Sequence, residues 1–135
     1  SREAEVAVNT ICGHRDTMLY NAIPGIVYTN PEVAGVGITE AQAKQQGIEY
    51  QCHKLPLAYS GRFVAENEGG EGLCKIITDK VTGHILGVHM LGNPCSEIIS
   101  SACIAIERGM TAKELERVVF PHPTVGEIIK ETILM

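Results

Sequence analysis

The 135-residue chain has no cluster of lysine and arginine; its 11 basic side chains are outnumbered by 16 acidic ones, giving a formal net charge of −5. Without a basic stripe nothing can neutralise a row of phosphates, which argues against nucleic acid or an anionic membrane surface as a partner. Nor is there an apolar run of the roughly 18 residues that a membrane-spanning helix needs. The greasiest stretch, Ala102 to Ile106, is closed at once by Glu107 and Arg108. The five cysteines, Cys12, Cys52, Cys74, Cys95 and Cys103, are odd in number and include no Cys-x-x-Cys pair. That usage favours reduced thiols and a cytoplasmic location over a disulfide scaffold. The opening Ser1-Arg2-Glu3-Ala4-Glu5 has neither an initiator Met nor a basic-then-apolar leader and runs straight into a helical pattern, so a piece of a longer chain is expected. Internal repeats are absent as well. An apolar fraction of 44% with 20% charged residues suffices for one core and one folded domain.

What is present reads as strands first and helices last. Residues 3 to 12 carry a helical apolar spacing that Gly13 ends as a C-cap would. A linker follows, and the Pro24-Gly25 turn marks a domain start near Ile23. Gly25 to Thr29, rich in β-branched and aromatic residues, is the first strand, with a continuation bracketed by Pro31 and Gly35-Val36-Gly37. Thr39 to Gln42 fits a capping box for a short helix that Gly47 ends. Strands are expected over Glu49 to Leu57, Gly72 to Thr78 and His84 to Leu91, the last two pairing antiparallel across a five-residue polar connection. Between them the acidic, glycine-containing stretch Glu66 to Glu71 has nothing to bury and is expected to be exposed and mobile.

Asn93-Pro94 opens the longest helix, with Asn as N-cap and Pro in the first turn. Cys95, Ile98, Ile99, Ala102, Cys103, Ala105 and Ile106 share one face of it, and Ile104 falls alone on the polar side. Thr111 to Glu114 is a second capping box, opening a helix to about Val119. A third box, Thr124 to Glu127, opens a final helix carrying Ile128, Ile129, Ile133 and Leu134. The fold class is α+β, with helices packed on one face of a largely antiparallel sheet.

Few residues look chemical. His122 stands between two prolines in Phe120-Pro121-His122-Pro123-Thr124, a rigid connection suited to aiming an imidazole. Glu127, five residues on, could hold one tautomer and raise the ring's basicity. It is equally the third member of the capping box, and one carboxylate is not expected to fill both roles fully. His84, His89, Cys74 and Cys95 could be counted as metal ligands, but in a strand a separation of five sends the two His to opposite faces, so no metal site is expected. The cysteines read as inert core thiols. Gly35-Val36-Gly37-Ile38-Thr39 lacks the third glycine of a dinucleotide fingerprint and reads as a turn into a helix. These residues offer a His-Glu pair and no electron-carrying group.

Three ordered segments carry a resemblance: Ile23-Pro24-Gly25-Ile26-Val27-Tyr28-Thr29-Asn30-Pro31-Glu32-Val33-Ala34-Gly35-Val36-Gly37, then Ile85-Leu86-Gly87-Val88-His89, then His122-Pro123-Thr124-Val125-Gly126-Glu127. The chain resembles the C-terminal dimerisation domain of pyridine nucleotide-disulfide oxidoreductases, with Leu86 to Gly92, Ser96 to Ile99 and Gly109 most similar to the lipoamide-oxidising branch. The resemblance implies residues 23–135 as the dimerisation domain, 14–22 as a linker and 1–13 as the tail helix of a preceding flavin-binding region. It implies a full-length enzyme that oxidises protein-bound dihydrolipoamide with NAD through a redox disulfide and FAD, while the fragment alone binds neither cofactor and is inactive. His122 then crosses a homodimer interface as acid-base catalyst and Glu127 orients it. The backbone of His122 and Pro123 lies near the partner's flavin, and the bond between them is a candidate cis peptide. Ile104 and the last helices become interface candidates. A lipoyl-bearing protein is the implied substrate, and the peripheral subunit-binding domain of an acyltransferase core is a further implied partner. The alternatives are another disulfide reductase of the glutathione reductase kind, or a self-association or docking module without activity of its own.

Overall fold

Alternation along the central strands decides where the core forms. A computed structural model describes all 135 residues. Its single sheet is built from β1 (Gly25–Val27), β2 (Val33–Gly37), β3 (Tyr50–Pro56), β4 (Leu73–Asp79) and β5 (Ile85–Leu91). The strands lie in the order β1-β2-β5-β4-β3, and every neighbouring pair is antiparallel. Register places Ile26, Ala34, Met90, Cys74 and Leu55 in one row across all five strands, and Val36, Val88 and Ile76 in the next. Apart from half-buried Ile26 these side chains are buried, and they form the floor of the core.

Two helices roof that floor. Helix α4 (Cys95–Glu107) lies on β2 and β5, and α6 (Ile128–Leu134) lies on β3 and β4. Cys95, Ile99, Ala102, Ala105 and Ile106 of α4 are buried, and Ile104 is 62% exposed, as the helical wheel places it. Ile128 and Ile129 of α6 are fully buried, each contributing about 2 kcal/mol of transfer free energy. Helix α2 (Glu40–Gln45) lies instead over the opposite face, with Glu40 bonded to Lys75 at 3.1 Å. The rest of that face stays open, and the row Val27, Val33, Leu91, Leu73 is 38 to 54% exposed.

Several local expectations need correcting. Gly35-Val36-Gly37 is not a turn: it belongs to β2, which is distinct from β1 and hairpinned to it. Gly37 (φ +76°) and Gly87 bring β2 and β5 so close that a Cβ on Gly37 would sit 2.1 Å from the Leu86 carbonyl oxygen, and one on Gly87 2.1 Å from that of Ile38. The helix α4 is not capped by Asn93. Its side chain accepts from the Glu32 amide and donates to Asn30 (2.9 Å each), while the Glu32 carboxylate accepts from the Ser96 amide at 2.9 Å. The segment after β3 forms α3 (Gly61–Glu66), a helix the glycine at its first position conceals in the sequence. The acidic stretch beyond it is exposed except at half-buried Asn67, which bonds back to Phe63. Helix α5 (Ala112–Leu115) has its capping box but stops short of Val119; two β-branched residues and the approach to Pro121 disfavour further helix. Helix α6 begins three residues later than the third box predicts.

At the N-terminus, α1 (Arg2–Ile11) buries no residue. Arg2 and Asn9 both bond Asp16, which holds the linker back against the helix and keeps that carboxyl down at about 2.

The β2–β5 approach makes a stability prediction. Gly87→Ala is expected to lose about 3 kcal/mol, because backbone must move to admit the methyl, whereas Gly47→Ala, at φ +68° with open space around it, should lose only about 1 kcal/mol. Urea unfolding compares them, and equal losses would contradict the close approach.

Candidate functional site

His122 sits in the connection between α5 and α6, in a loop anchored by buried Val125. The His122–Pro123 bond is cis. The imidazole side chain is 81% exposed, yet its Nδ1 lies 2.9 Å from Oε1 and 3.2 Å from Oε2 of Glu127. Oε2 also accepts the Thr124 amide at 2.8 Å. The third capping box is thus only half made: Glu127 reaches back to Thr124, but the Thr124 hydroxyl donates to the Pro121 carbonyl at 2.7 Å. A single carboxylate serves both imidazole and backbone: Oε1 accepts from Nδ1 alone, and Oε2 is shared between the Thr124 amide and Nδ1, while the box itself stays incomplete.

The chemistry follows from the donor inventory. The Thr124 amide first, and the imidazole second, hold the Glu127 carboxyl below its ordinary value of 4.5, so at neutral pH it is a carboxylate and only accepts. Nδ1 must then carry a proton and donate to the carboxylate, and Nε2, which has no partner within the chain, faces the outside. In the neutral form of the ring this contact leaves Nε2 as the basic nitrogen, and the carboxylate orients it.

A cleft of about 300 Å³ beside the ring is lined by Tyr59, Ser60, Arg62, Thr124, Glu127 and Glu131 among others. Arg62 is ion-paired with Glu66 one turn along α3. Sequence reading did not single out Tyr59, Ser60 or Arg62. The Ser-Gly-Arg start of α3 was the available signal, but nothing in the sequence brings it beside residue 122.

The remaining candidates are scattered. His84 Nδ1 pairs with Thr82 at 2.8 Å, and His89 Nε2 donates to the Ile38 carbonyl at 3.0 Å. Cys74 and Cys95 are buried in the core. Burial pushes Cys74 up to about 12, and burial with the nearby Glu32 charge pushes Cys95 up to about 11, so neither supplies thiolate at neutral pH. No group of three or more His, Cys, Asp or Glu side chains is placed to hold a metal ion.

Residues 23–133 match the family profile of the pyridine nucleotide-disulphide oxidoreductase dimerisation domain. The chain belongs to this family. It is 41% identical over 132 residues to the mitochondrial dihydrolipoyl dehydrogenase of Schizosaccharomyces pombe, covering 98% of this chain and 26% of that protein. It is 40% identical over 131 residues to the dihydrolipoyl dehydrogenase of Bacillus subtilis, covering 97% and 28%. The chain thus spans about a quarter of the length of these relatives. Among solved structures, the HOCl-induced flavoprotein disulfide reductase RclA of Escherichia coli superposes with a TM-score of 0.89 at 24% identity, over 99% of this chain and 31% of that one. The five-stranded antiparallel sheet with its helices is therefore the family's fold.

The Glu127 interactions set a pH dependence. A carboxyl whose folded-state value is depressed contributes stability that is fully present above its unfolded value and is lost as pH falls through the folded one. The wild-type stability advantage over Glu127→Gln should be constant above about pH 6 and shrink progressively below 4.5. Thermal unfolding of both proteins across that range checks it, and a pH-independent difference would remove the carboxylate from the account.

Proposed function

We propose that this chain is the dimerisation domain of a dihydrolipoyl dehydrogenase, and that His122 works as acid-base catalyst in the active site of a partner subunit. The observation that carries the reading is the geometry of His122: an exposed ring whose Nδ1 proton is held by Glu127 and whose Nε2 is free. Identity near 40% to dihydrolipoyl dehydrogenases along almost the whole chain supports the substrate class.

Oxidising a dithiol suits such an imidazole. Nε2 takes the proton of one substrate thiol, and the resulting thiolate attacks the enzyme disulfide, forming a mixed disulfide and expelling the other enzyme sulfur as thiolate. Attack by the second substrate thiol closes the lipoyl disulfide and leaves the enzyme pair reduced by two electrons. The imidazolium formed is stabilised by Glu127 and returns its proton when the cycle closes. In the full-length protein FAD would supply the two-electron acceptor and NAD the final one. The backbone at His122 and Pro123 fits a place against the partner's flavin, since the His122 carbonyl lies on an exposed loop and receives no hydrogen bond within the chain.

The same reading makes residues 1–13 the tail of the flavin-binding region and 14–22 a linker. It also gives the exposed apolar side chains around α4 and the following loop a homodimer to pack into. Ile104 is 62% and Val119 90% exposed, and half-buried Ile98 and Phe120 line a shallow groove. A lipoyl-bearing protein substrate, docking to the peripheral subunit-binding domain of an acyltransferase core, and a cytoplasmic location complete the proposal.

In the full-length protein, His122→Gln is expected to lower dihydrolipoamide-dependent NAD reduction by roughly 10²–10⁴-fold while the flavin absorbance is retained. Turnover near wild type would remove the catalytic role. Ile104→Asp should weaken the dimer at least about tenfold, near 1.4 kcal/mol, as read by sedimentation against concentration. An unchanged dimer would place the interface elsewhere.

A further inference from the structure

The loop that aims His122 has a single hydrogen bond to the part of the domain that precedes it. Within residues 119–127 the hydrogen bonds are local: His122 and Thr124 to Glu127, and Thr124 to Pro121. The one hydrogen bond joining this segment to the first 118 residues comes from Ser60, whose hydroxyl donates to the Thr124 carbonyl at 3.2 Å across 64 residues of sequence. Ser60 is 9% exposed and is itself fixed, because its amide donates to the Leu57 carbonyl and its Oγ accepts the Phe63 amide as the N-cap of α3. One hydroxyl thus uses its proton on the loop and its lone pair on the helix, and both of its neighbours are ordered.

Thr124 is the pivot. Its carbonyl is held by Ser60 and its amide is held by Glu127 Oε2, so the two peptide planes flanking its Cα are fixed at once. The orientation of the Thr124 amide determines where the Glu127 carboxylate rests, and the carboxylate determines which imidazole nitrogen carries the proton. The chain of contacts runs Ser60, Thr124, Glu127, His122. Rotation of the Thr124–Val125 peptide would break it at the first link without disturbing the core beneath.

We propose that Ser60 is a positioning residue for His122, setting the imidazole tautomer through Thr124 and Glu127. Its effect on turnover rests on the function proposed above; its effect on the tautomer does not. Position 60 needs a side chain that donates to a carbonyl and caps a helix together, which Asn can also do and Ala cannot.

The test uses the full-length flavoprotein with Ser60→Ala and Ser60→Asn, with uniformly ¹⁵N-labelled histidine and with His122→Gln to assign the resonance. In the unaltered protein the neutral His122 ring is expected to show a single Nδ1–H tautomer. Ser60→Ala is expected to give a mixture of the two tautomers and to lower kcat for dihydrolipoamide oxidation about tenfold with KM nearly unchanged, and Ser60→Asn is expected to restore both. If Ser60→Ala fails to assemble, Ser60→Cys, similar in shape with a far weaker donor, is read the same way. A single tautomer in the Ala or Cys variant overturns the proposal, whatever happens to turnover. So does an Asn variant that is stably folded but still mixed. Absence of dihydrolipoamide activity in the unaltered protein would instead overturn the functional reading and leave the tautomer result standing.

Discussion

The close contact of β2 with β5 is the constraint on which the arrangement depends. Gly37 and Gly87 lack side chains where each would strike the other strand's continuation, and the Ile38 amide and carbonyl bond Leu86 and His89 in the space thus left. That contact turns the chain after β2 onto the far face of the sheet, where α2 sits. It also leaves the near face of β2 and β5 level enough for α4 to lie across both.

At the site, helix formation gives way to aiming. A Glu placed three residues after a Thr ordinarily completes a capping box. Here its oxygens are divided between the Thr124 amide and the imidazole, and the helix starts only at Ile128. The lost turn is offset by Ile128 and Ile129, whose complete burial against the sheet holds α6 whether or not its first turn is capped. The loop that carries His122 can therefore be stiffened by a carboxylate that a less well-packed helix would need for itself.

Much of this was legible in advance because it is local. The capping boxes at Thr39 and Thr111, the β4–β5 hairpin, the buried stripe of α4 and the outward Ile104 all follow from periodicity and from side chains a few residues apart. The His122–Glu127 pairing was legible as a possibility. Its geometry was not, since spacing alone gave no sign that one carboxylate could accept from the imidazole and from the Thr124 amide together. What stayed hidden is long-range. Glu32 reaches the amide of Ser96, Ser60 reaches Thr124, and the glycines of β2 answer to β5; none of these leaves a mark in the residues immediately around it. Gly35 and Gly37 read locally as a turn because their true reason, another strand, lies some fifty positions away in the chain.

That separation bears on how the polypeptide is made. The β1–β2 hairpin leaves the ribosome before the strand that must pair with β2, whose residues 85 to 91 follow some fifty positions later. Until then β2 has an open edge, with amides and carbonyls that any passing strand could satisfy. The β4–β5 hairpin, closed by a short connection, forms quickly once synthesised, and docking the waiting hairpin onto β5 completes the sheet. The nascent chain is thus vulnerable to mispairing for the time taken to translate α2, β3, α3 and β4.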